Sequence, residues 1–165
     1  MKQIVVISGK GGTGKTILTA SFASLAENKV MVDCDVDAAD LHLLLKPEIR
    51  ERHEFRSGVT ARINRDICKE CGDCLSVCRF EAINGDFIVD PVSCEGCAVC
   101  SRVCPEGAIF MEENISGEWY VSDTKYGPLV HAKLGIAEEN SGKLVTQVRQ
   151  AAKEIAEKYN MDYVI

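Results

Sequence analysis

Eight of the nine cysteines of this 165-residue chain lie in one short stretch and follow the same spacing twice. The two copies are Cys68, Cys71, Cys74, Cys78 and Cys94, Cys97, Cys100, Cys104, each of the form C-x2-C-x2-C-x3-C and offset by 26 positions. Thiolates are soft ligands for zinc and for iron–sulfur clusters. Three thiols at i, i+3 and i+6 on a tight loop can converge on three corners of an iron–sulfur cube. The spacing therefore predicts a metal-binding repeat.

The residues around these cysteines form an acidic segment. From Asp66 to Glu113 there are ten acidic and three basic residues, a net charge of −7, whereas the whole chain carries −6.

Each copy of the cysteine repeat is too short to bury a core alone, so bound metal must supply stability. Zinc also takes four thiolates, but its motifs pair two C-x2-C knuckles across a long spacer rather than three cysteines in a row. Structural zinc remains the alternative.

The cysteine-rich segment resembles the bacterial two-cluster ferredoxin module. In that family, three cysteines of one copy and the last cysteine of the other copy hold each [4Fe-4S] cluster. The resemblance implies one cluster on Cys68, Cys71, Cys74 and Cys104, and a second on Cys94, Cys97, Cys100 and Cys78. Pro105 follows Cys104 as in the family, whereas Arg79 follows Cys78. This departure can change the hydrogen bonding, and hence the potential, of one cluster.

A glycine-rich loop near the amino terminus predicts a phosphate-binding site. Residues 2–7 favour a short buried strand, and Ile17–Asn28 favours a helix. Between them lie Gly9, Lys10, Gly11, Gly12, Thr13, Gly14, Lys15 and Thr16, which satisfy G-x4-G-K-[ST]. Backbone N–H groups of such a loop point at phosphate, at the positive end of the helix. We expect Lys15 to bind the β- and γ-phosphates of a nucleotide, and the Thr16 hydroxyl to bind Mg²⁺.

Lys10, the first lysine of this loop, indicates which class of P-loop protein the motif resembles. The form K-G-G-x-G-K-T resembles the deviant Walker A motif of the MinD/ParA/Mrp ATPases, a group that includes the nitrogenase iron protein. The resemblance implies an α/β P-loop fold with a parallel sheet, and ATP hydrolysis in which Lys10 and Lys15 take part. It also implies an ATP-dependent homodimer in which Lys10 reaches the nucleotide of the partner.

An aspartate-rich segment follows the second predicted strand, Lys29–Val32. It resembles the D-x-D of the first switch region in that family, and Asp35 matches the catalytic carboxylate near Mg²⁺ and the attacking water. No function is assigned to Asp33, Asp37 and Asp40, which can be N-caps or solvated acids. Cys34 is predicted to be a small buried hydrophobe, and a redox or ligand role is the alternative. His42, His53 and His131 have no ligand spacing and are predicted to be structural or surface residues.

These motifs divide the chain into 1–60, the first part of a P-loop ATPase domain; 61–113, an inserted α+β ferredoxin-like module with two clusters; and 114–165, the continuation of the ATPase. Trp119–Thr124 is predicted to be a strand, Tyr126–Pro128 a turn, and Ser141–Tyr159 a helix. Met161–Ile165 resembles the start of the Walker B strand, whose aspartate is not reached. The sequence thus indicates an amino-terminal fragment with a truncated sheet, weakly active or inactive alone.

Composition argues against several classes of function. With 19 basic and 25 acidic residues, the chain does not favour nucleic acid, and no apolar run approaches the ~20 residues that span a bilayer. The amino terminus lacks the form of a signal peptide. Many cysteines without an export signal indicate reduced thiols or metal ligands, so we expect a cytoplasmic protein.

Three functions remain open on these residues. The first is nucleotide-dependent electron transfer, in which two fully ligated clusters serve a redox partner with a basic docking face. The second is an iron–sulfur cluster carrier or assembly ATPase, which the resemblance to Mrp implies. The third is a MinD-like positioning switch whose clusters are structural.

Overall fold

The computed structural model describes residues 1–135 and 141–165. These residues form two compact units, the first of Met1–Phe55 with Ser116–Ile165 and the second of Arg56–Ile115. The described strands are β1 (Lys2–Gln3), β2 (Lys29–Val32), β3 (Glu48–Ile63), β4 (Ile109–Thr124), β5 (Gly127–Leu134) and β6 (Tyr163–Val164). The described helices are α1 (Lys15–Leu25), α2 (Leu41–Leu45), α3 (Asp73–Val77), α4 (Val99–Val103) and α5 (Ser141–Lys158).

The strands form one mixed sheet in the order β1-β6-β2-β5-β4-β3. β6 pairs parallel with β1 and β2, and β2 pairs parallel with β5. β5 pairs antiparallel with β4, because the turn at Tyr126 joins them as a hairpin. The predicted α/β P-loop architecture is confirmed, but the sheet is parallel only over β1, β6, β2 and β5.

Successive residues of β2 point to opposite faces of the sheet. Val30 packs with helix α5, whose Leu144, Val148, Ala152 and Ala156 are at most 1% exposed. Met31 packs with Ala23 of α1 and with Leu41 and Leu45 of α2. The four-residue spacing along α5 places its apolar side chains on one face, and the helix predicted from residue 141 is confirmed.

The predicted strand over residues 2–7 is much shorter in the structure. β1 ends at Gln3, and the Ile4 N–H still donates to the Val164 carbonyl oxygen at 2.9 Å. Val5 is 70% exposed and Ile7 is 83% exposed. The prediction that this run is buried is therefore wrong for the residues described, in which Val5 and Ile7 lie past the end of β1 and β1 pairs with β6 alone.

Strand β3 was not predicted, and only Trp119–Thr124 of β4 was, although each strand has 16 residues. Both cross a unit boundary, β3 between Phe55 and Arg56 and β4 between Ile115 and Ser116. Charged pairs join these two strands: Arg50 with Asp123, Arg52 with Glu118, and Arg62 with Glu112. Cross-strand ion pairs of this kind add modestly to strand pairing.

Among the described residues, no helix is long and apolar enough to cross a membrane.

Candidate functional site

The glycine-rich loop joins β1 to α1 and passes through left-handed backbone at Gly12 (φ 75°) and Gly14 (φ 85°). An added Cβ would meet no described atom within 4 Å at either glycine. Glycine is therefore favoured there by the backbone conformation rather than by close packing. Helix α1 begins at Lys15, which places its positive end at the loop, where an anion binds best.

A cavity of about 530 Å³ lies beside this loop. Helix α1 contributes Lys15, Thr16 and Thr19 to its wall, and the segment after β2 contributes Asp33, Cys34 and Asp35. Further wall residues come from β1, β6 and α5, among them Arg149. The structure thus brings the predicted residues Lys15, Thr16 and Asp35 to one cavity at the carboxyl ends of parallel strands, as α/β folds do. Lys10 is exposed on the loop.

Lys15 and Asp35 form an ion pair within this cavity wall. The Lys15 Nζ lies 3.2 Å from the Asp35 Oδ2, and the two side chains are 36% and 44% exposed. Solvent screens a pair with this exposure, so its net contribution is at most about 1 kcal/mol. A nucleotide phosphate can therefore displace Asp35 from the lysine at little cost.

Asp33 organises the segment that presents Asp35. Asp33 is only 8% exposed. Its Oδ1 accepts the Asp35 N–H and its Oδ2 accepts the Leu41 N–H, both at 3.1 Å. Burial raises the pKa of Asp33, and these two hydrogen bonds oppose the rise. Asp40 occupies the N-cap position of α2 without a side-chain cap bond, so Asp33 supplies the bond to the first residue of that helix.

Cys34 is exposed and lines the cavity. The prediction of a buried hydrophobe is therefore wrong, because the residue lies just past the end of β2 and faces the cavity instead of the core. The thiol is nevertheless enclosed enough by the wall that burial raises its pKa, with Arg149 opposing the rise.

The two cysteine copies share helix positions and backbone hydrogen bonds at equivalent residues. Helices α3 and α4 are offset by the repeat length, and each ends at a cysteine with extended backbone, Cys78 and Cys104. The Asn64 N–H donates to the Ala108 carbonyl at 2.8 Å, and the Asp90 N–H donates to the Ala82 carbonyl at 2.7 Å. Asn64 and Asp90 are equivalent positions, as are Ala82 and Ala108, so these reciprocal bonds indicate a pseudo-two-fold relationship between the copies.

Left-handed residues recur at equivalent positions of the two copies. The pairs are Glu70 and Gly96, Gly72 and Ala98, and Glu81 and Gly107, with φ between 51° and 86°. One member of each pair is glycine, which adopts this conformation without steric cost. Gly96 has a second constraint, because a Cβ there would lie 2.3 Å from the Val59 carbonyl oxygen. Tight turns at the same three places shape both cysteine loops alike.

One cavity in this unit is lined by four thiols: Cys78, Cys94, Cys97 and Cys100. This is the ligand set expected for the second cluster, with the last cysteine of the first copy joining three of the second. The remaining wall is largely apolar, including Val77, Phe80 and Met111. Among the described residues, no three side chains of metal-binding type converge on one ion position, so the fit to an iron–sulfur cluster rests on this cavity and its thiol donors.

The other predicted ligand set also lies in this unit. Cys74 is buried, Cys68 and Cys104 are half-buried, and Cys71 is exposed. The Ala108 N–H lies 3.3 Å from the Cys104 Sγ and donates to it, which is the type of bond that stabilises a thiolate ligand. Burial raises the pKa of Cys74 and of Cys100. Metal binding would have to offset that cost, because ligation requires the thiolate.

Comparisons with known proteins agree with both motif sets. The chain is 38% identical over 155 residues to the uncharacterized protein MJ0578 of Methanocaldococcus jannaschii, which covers 92% of this chain and 55% of that protein. It is 32% identical over 164 residues to MJ0579 of the same organism, covering 91% of this chain and 56% of that protein. The chain therefore spans about half the length of these curated relatives.

The cysteine-rich part has relatives of its own. A ferredoxin of Alicyclobacillus acidocaldarius is 38% identical over 50 residues, which is 28% of this chain and 64% of that protein. No solved structure matches the chain. The prediction of a P-loop domain with an inserted ferredoxin-type iron–sulfur module is confirmed. Residues 4–165 match the CobQ/CobB/MinD/ParA nucleotide-binding domain, and the chain belongs to this family.

Proposed function

We propose that this protein holds two [4Fe-4S] clusters and couples the binding of Mg-ATP to electron transfer within a homodimer. Its family and its ferredoxin-type module support an ATP-binding iron–sulfur protein. The observation that carries the two-cluster part of the proposal is the cavity that Cys78 shares with Cys94, Cys97 and Cys100. Ligands that cross between copies are what a two-cluster module requires.

The pseudo-symmetry of the module supports two clusters. If Cys78 completes the set of the second copy, the equivalent residue Cys104 completes the set of Cys68, Cys71 and Cys74. Four thiolates leave no ligand position open on either cluster, which favours retention of the cluster over its donation. When bound, such clusters supply one-electron transfer. We therefore place electron transfer ahead of a cluster-carrier function.

The nucleotide pocket supplies the second half of the proposal. The Lys15 ammonium would balance phosphate charge, and the Thr16 hydroxyl and Asp35 carboxylate are the hard oxygen donors that Mg²⁺ prefers. Lys10 is exposed on the loop, as a residue acting on the nucleotide of a second copy must be. The acidic segment around the cysteines, with its net charge of −7, suits a redox partner with a basic surface.

A potentiometric titration of the full-length protein, purified without oxygen, tests the coupling. We expect Mg-ATP, relative to Mg-ADP, to shift the midpoint potential of at least one cluster by about 60 mV, a tenfold change in a one-electron equilibrium. Lys15→Ala should abolish the shift. Unchanged potentials in the presence of bound ATP would contradict the coupling, and transfer of iron and sulfide to an apo-ferredoxin would favour the carrier instead.

A further inference from the structure

His131 is a buried histidine of β5 that the nucleotide chemistry does not use. It is 6% exposed, and burial lowers its pKa to about 4, so its ring is neutral at physiological pH. Its Nε2 lies 3.1 Å from the Oγ of Ser122, a fully buried residue of β4. Its ring stacks on Tyr120 of β4, at 4.9 Å between ring centres, and on His42 of α2, at 5.8 Å. His131 therefore contacts both β4 and the helix that follows the aspartate segment.

On one side, these contacts lead to the nucleotide pocket. His42 follows Leu41, whose N–H donates to Asp33. Asp33 also accepts the N–H of Asp35, and Asp35 is paired with Lys15. The buried Asp33 carboxylate thus joins the backbone of Asp35 to the start of α2.

On the other side, the contacts lead to β3. The Tyr120 hydroxyl donates to the Glu118 Oε2 at 2.6 Å, and the Arg52 Nε donates to the Glu118 Oε1 at 2.9 Å. Arg52 belongs to β3, and Glu118 and Tyr120 belong to β4. These two strands are the ones that continue into the cysteine-rich unit. All of the contacts described lie within the first unit.

Binding of phosphate at Lys15 would give this chain of contacts a second state. A triphosphate that binds Lys15 brings negative charge against the Asp35 carboxylate, and like charges at this distance repel. Asp35 must then leave the lysine or turn to a bound Mg²⁺. Because Asp33 holds the Asp35 backbone and the first residue of α2 together, a displacement of Asp35 that moves its backbone would reach α2.

We propose that His131 is a positioning residue that links phosphate binding at Lys15 to the packing of strands β3 and β4. The proposal rests on nucleotide binding by the P-loop, and it does not depend on the electron transfer proposed above. It assigns a function in the nucleotide response to a histidine that the sequence marks only as structural.

Trp119, the one tryptophan of these 165 residues, can report on this link, and the emission that Trp119→Phe removes from the full-length protein is its signal. Trp119 lies on β4 between Glu118 and Tyr120, and its ring stacks on His53 of β3 at 3.9 Å. A shift between β3 and β4 would alter that stack and the emission of the indole. Fluorescence during titration with Mg-ATP, alongside calorimetric binding on the same full-length sample, separates the response from the binding.

We expect a saturable change in Trp119 emission in the wild type. His131→Asn should still bind Mg-ATP, but its emission change should be at most half of the wild-type change. Tyr120→Phe is the milder variant, because it keeps the ring on His131 and removes only the bond to Glu118; it should lose a similar share. Tyr159→Phe, the same change on an exposed side chain at the end of α5, should respond like the wild type.

The outcomes are distinct. Bound Mg-ATP without any emission change in the wild type would overturn the proposal, as would full responses in both His131→Asn and Tyr120→Phe. A purely structural histidine would lower the unfolding midpoint while leaving the response at saturating nucleotide intact, and that result would also overturn it. Absence of calorimetric binding in the wild type would overturn this proposal and nucleotide binding together, whereas unchanged cluster potentials would overturn only the electron-transfer coupling.

Discussion

The Lys15 ammonium and the Asp35 carboxylate are paired at 3.2 Å in the wall of the cavity beside the glycine-rich loop. The lysine that should bind phosphate is therefore already engaged by the carboxylate that should serve the metal. In the function proposed above, nucleotide binding exchanges one partner for the other. The Asp35 side chain is thus both a competitor of phosphate and, once displaced, a candidate ligand for Mg²⁺.

Removing the charge of Asp35 should tighten the binding of nucleotide in the absence of Mg²⁺. The pair is partly exposed and contributes at most about 1 kcal/mol, so Asp35→Asn should bind Mg-free ATP up to about fivefold more tightly. Calorimetry checks this. Asp37→Asn, a neutralisation of an exposed acid nearby, should leave the affinity unchanged. Weaker Mg-free binding by Asp35→Asn would show that the pair does not compete with phosphate.

The crossed ligand sets can be tested with paired serine substitutions and iron analysis. Cys78→Ser combined with Cys97→Ser should remove one cluster, leaving about four of about eight irons per chain, because both residues serve the same cluster. Cys78→Ser combined with Cys71→Ser should remove both clusters. The reverse ranking of these two double variants would show that Cys78 belongs to its own copy.

Gly96→Ala should destabilise the second cysteine loop by more than about 2 kcal/mol, because the new Cβ would lie 2.3 Å from the Val59 carbonyl oxygen. Gly107→Ala is the matched control, since its φ of 62° is almost that of Gly96, at 63°, but no described atom lies within 4 Å of its added Cβ. Iron content and thermal loss of the cluster absorbance measure the effect. Equal losses in both variants would attribute the cost to backbone strain alone.

The first unit should lose stability in mild acid through His131. Its pKa is about 4 in the folded chain against an ordinary value near 6.5, so the unfolded chain binds a proton over this interval that the folded chain does not. The resulting contribution is present above about pH 6.5 and is lost as the pH falls towards 4. Between pH 7 and pH 5 the loss is about 2 kcal/mol.

Urea unfolding followed by Trp119 fluorescence measures this loss. His131→Asn should be less stable than the wild type at pH 7 but should lose about 2 kcal/mol less on going to pH 5. Parallel losses in the two proteins would assign the acid sensitivity to other groups.

Local sequence signals predicted the elements whose structure depends on residues close to one another in the sequence. The strand Lys29–Val32 has the predicted bounds, and α1 follows the glycine loop at Lys15. The cysteine repeat predicted two equivalent loops, and the reciprocal backbone bonds of Asn64 and Asp90 show that equivalence. In these cases glycine conformation, spacing and apolar periodicity are properties of short stretches of chain.

The features that were missed depend on contacts between distant parts of the chain. β3 carries alternating charges, and their partners lie on β4, far along the chain, as with Arg52 and Glu118. Asp33 resembles any acid after a strand until α2 folds back and gives it the Leu41 N–H. Cys34 follows an apolar run, yet it faces the cavity because β2 has ended. A single sequence contains no signal for these long-range placements.

The most direct test of the central claim is iron and sulfide analysis of the anaerobically purified protein, with electron paramagnetic resonance after dithionite reduction, with and without Mg-ATP. We expect about eight irons and eight sulfides per chain and the spectrum of two interacting reduced clusters, with a signal that changes when Mg-ATP binds. Zinc in place of iron, or no reducible signal, would contradict the claim and leave a nucleotide-binding protein with a structural metal module.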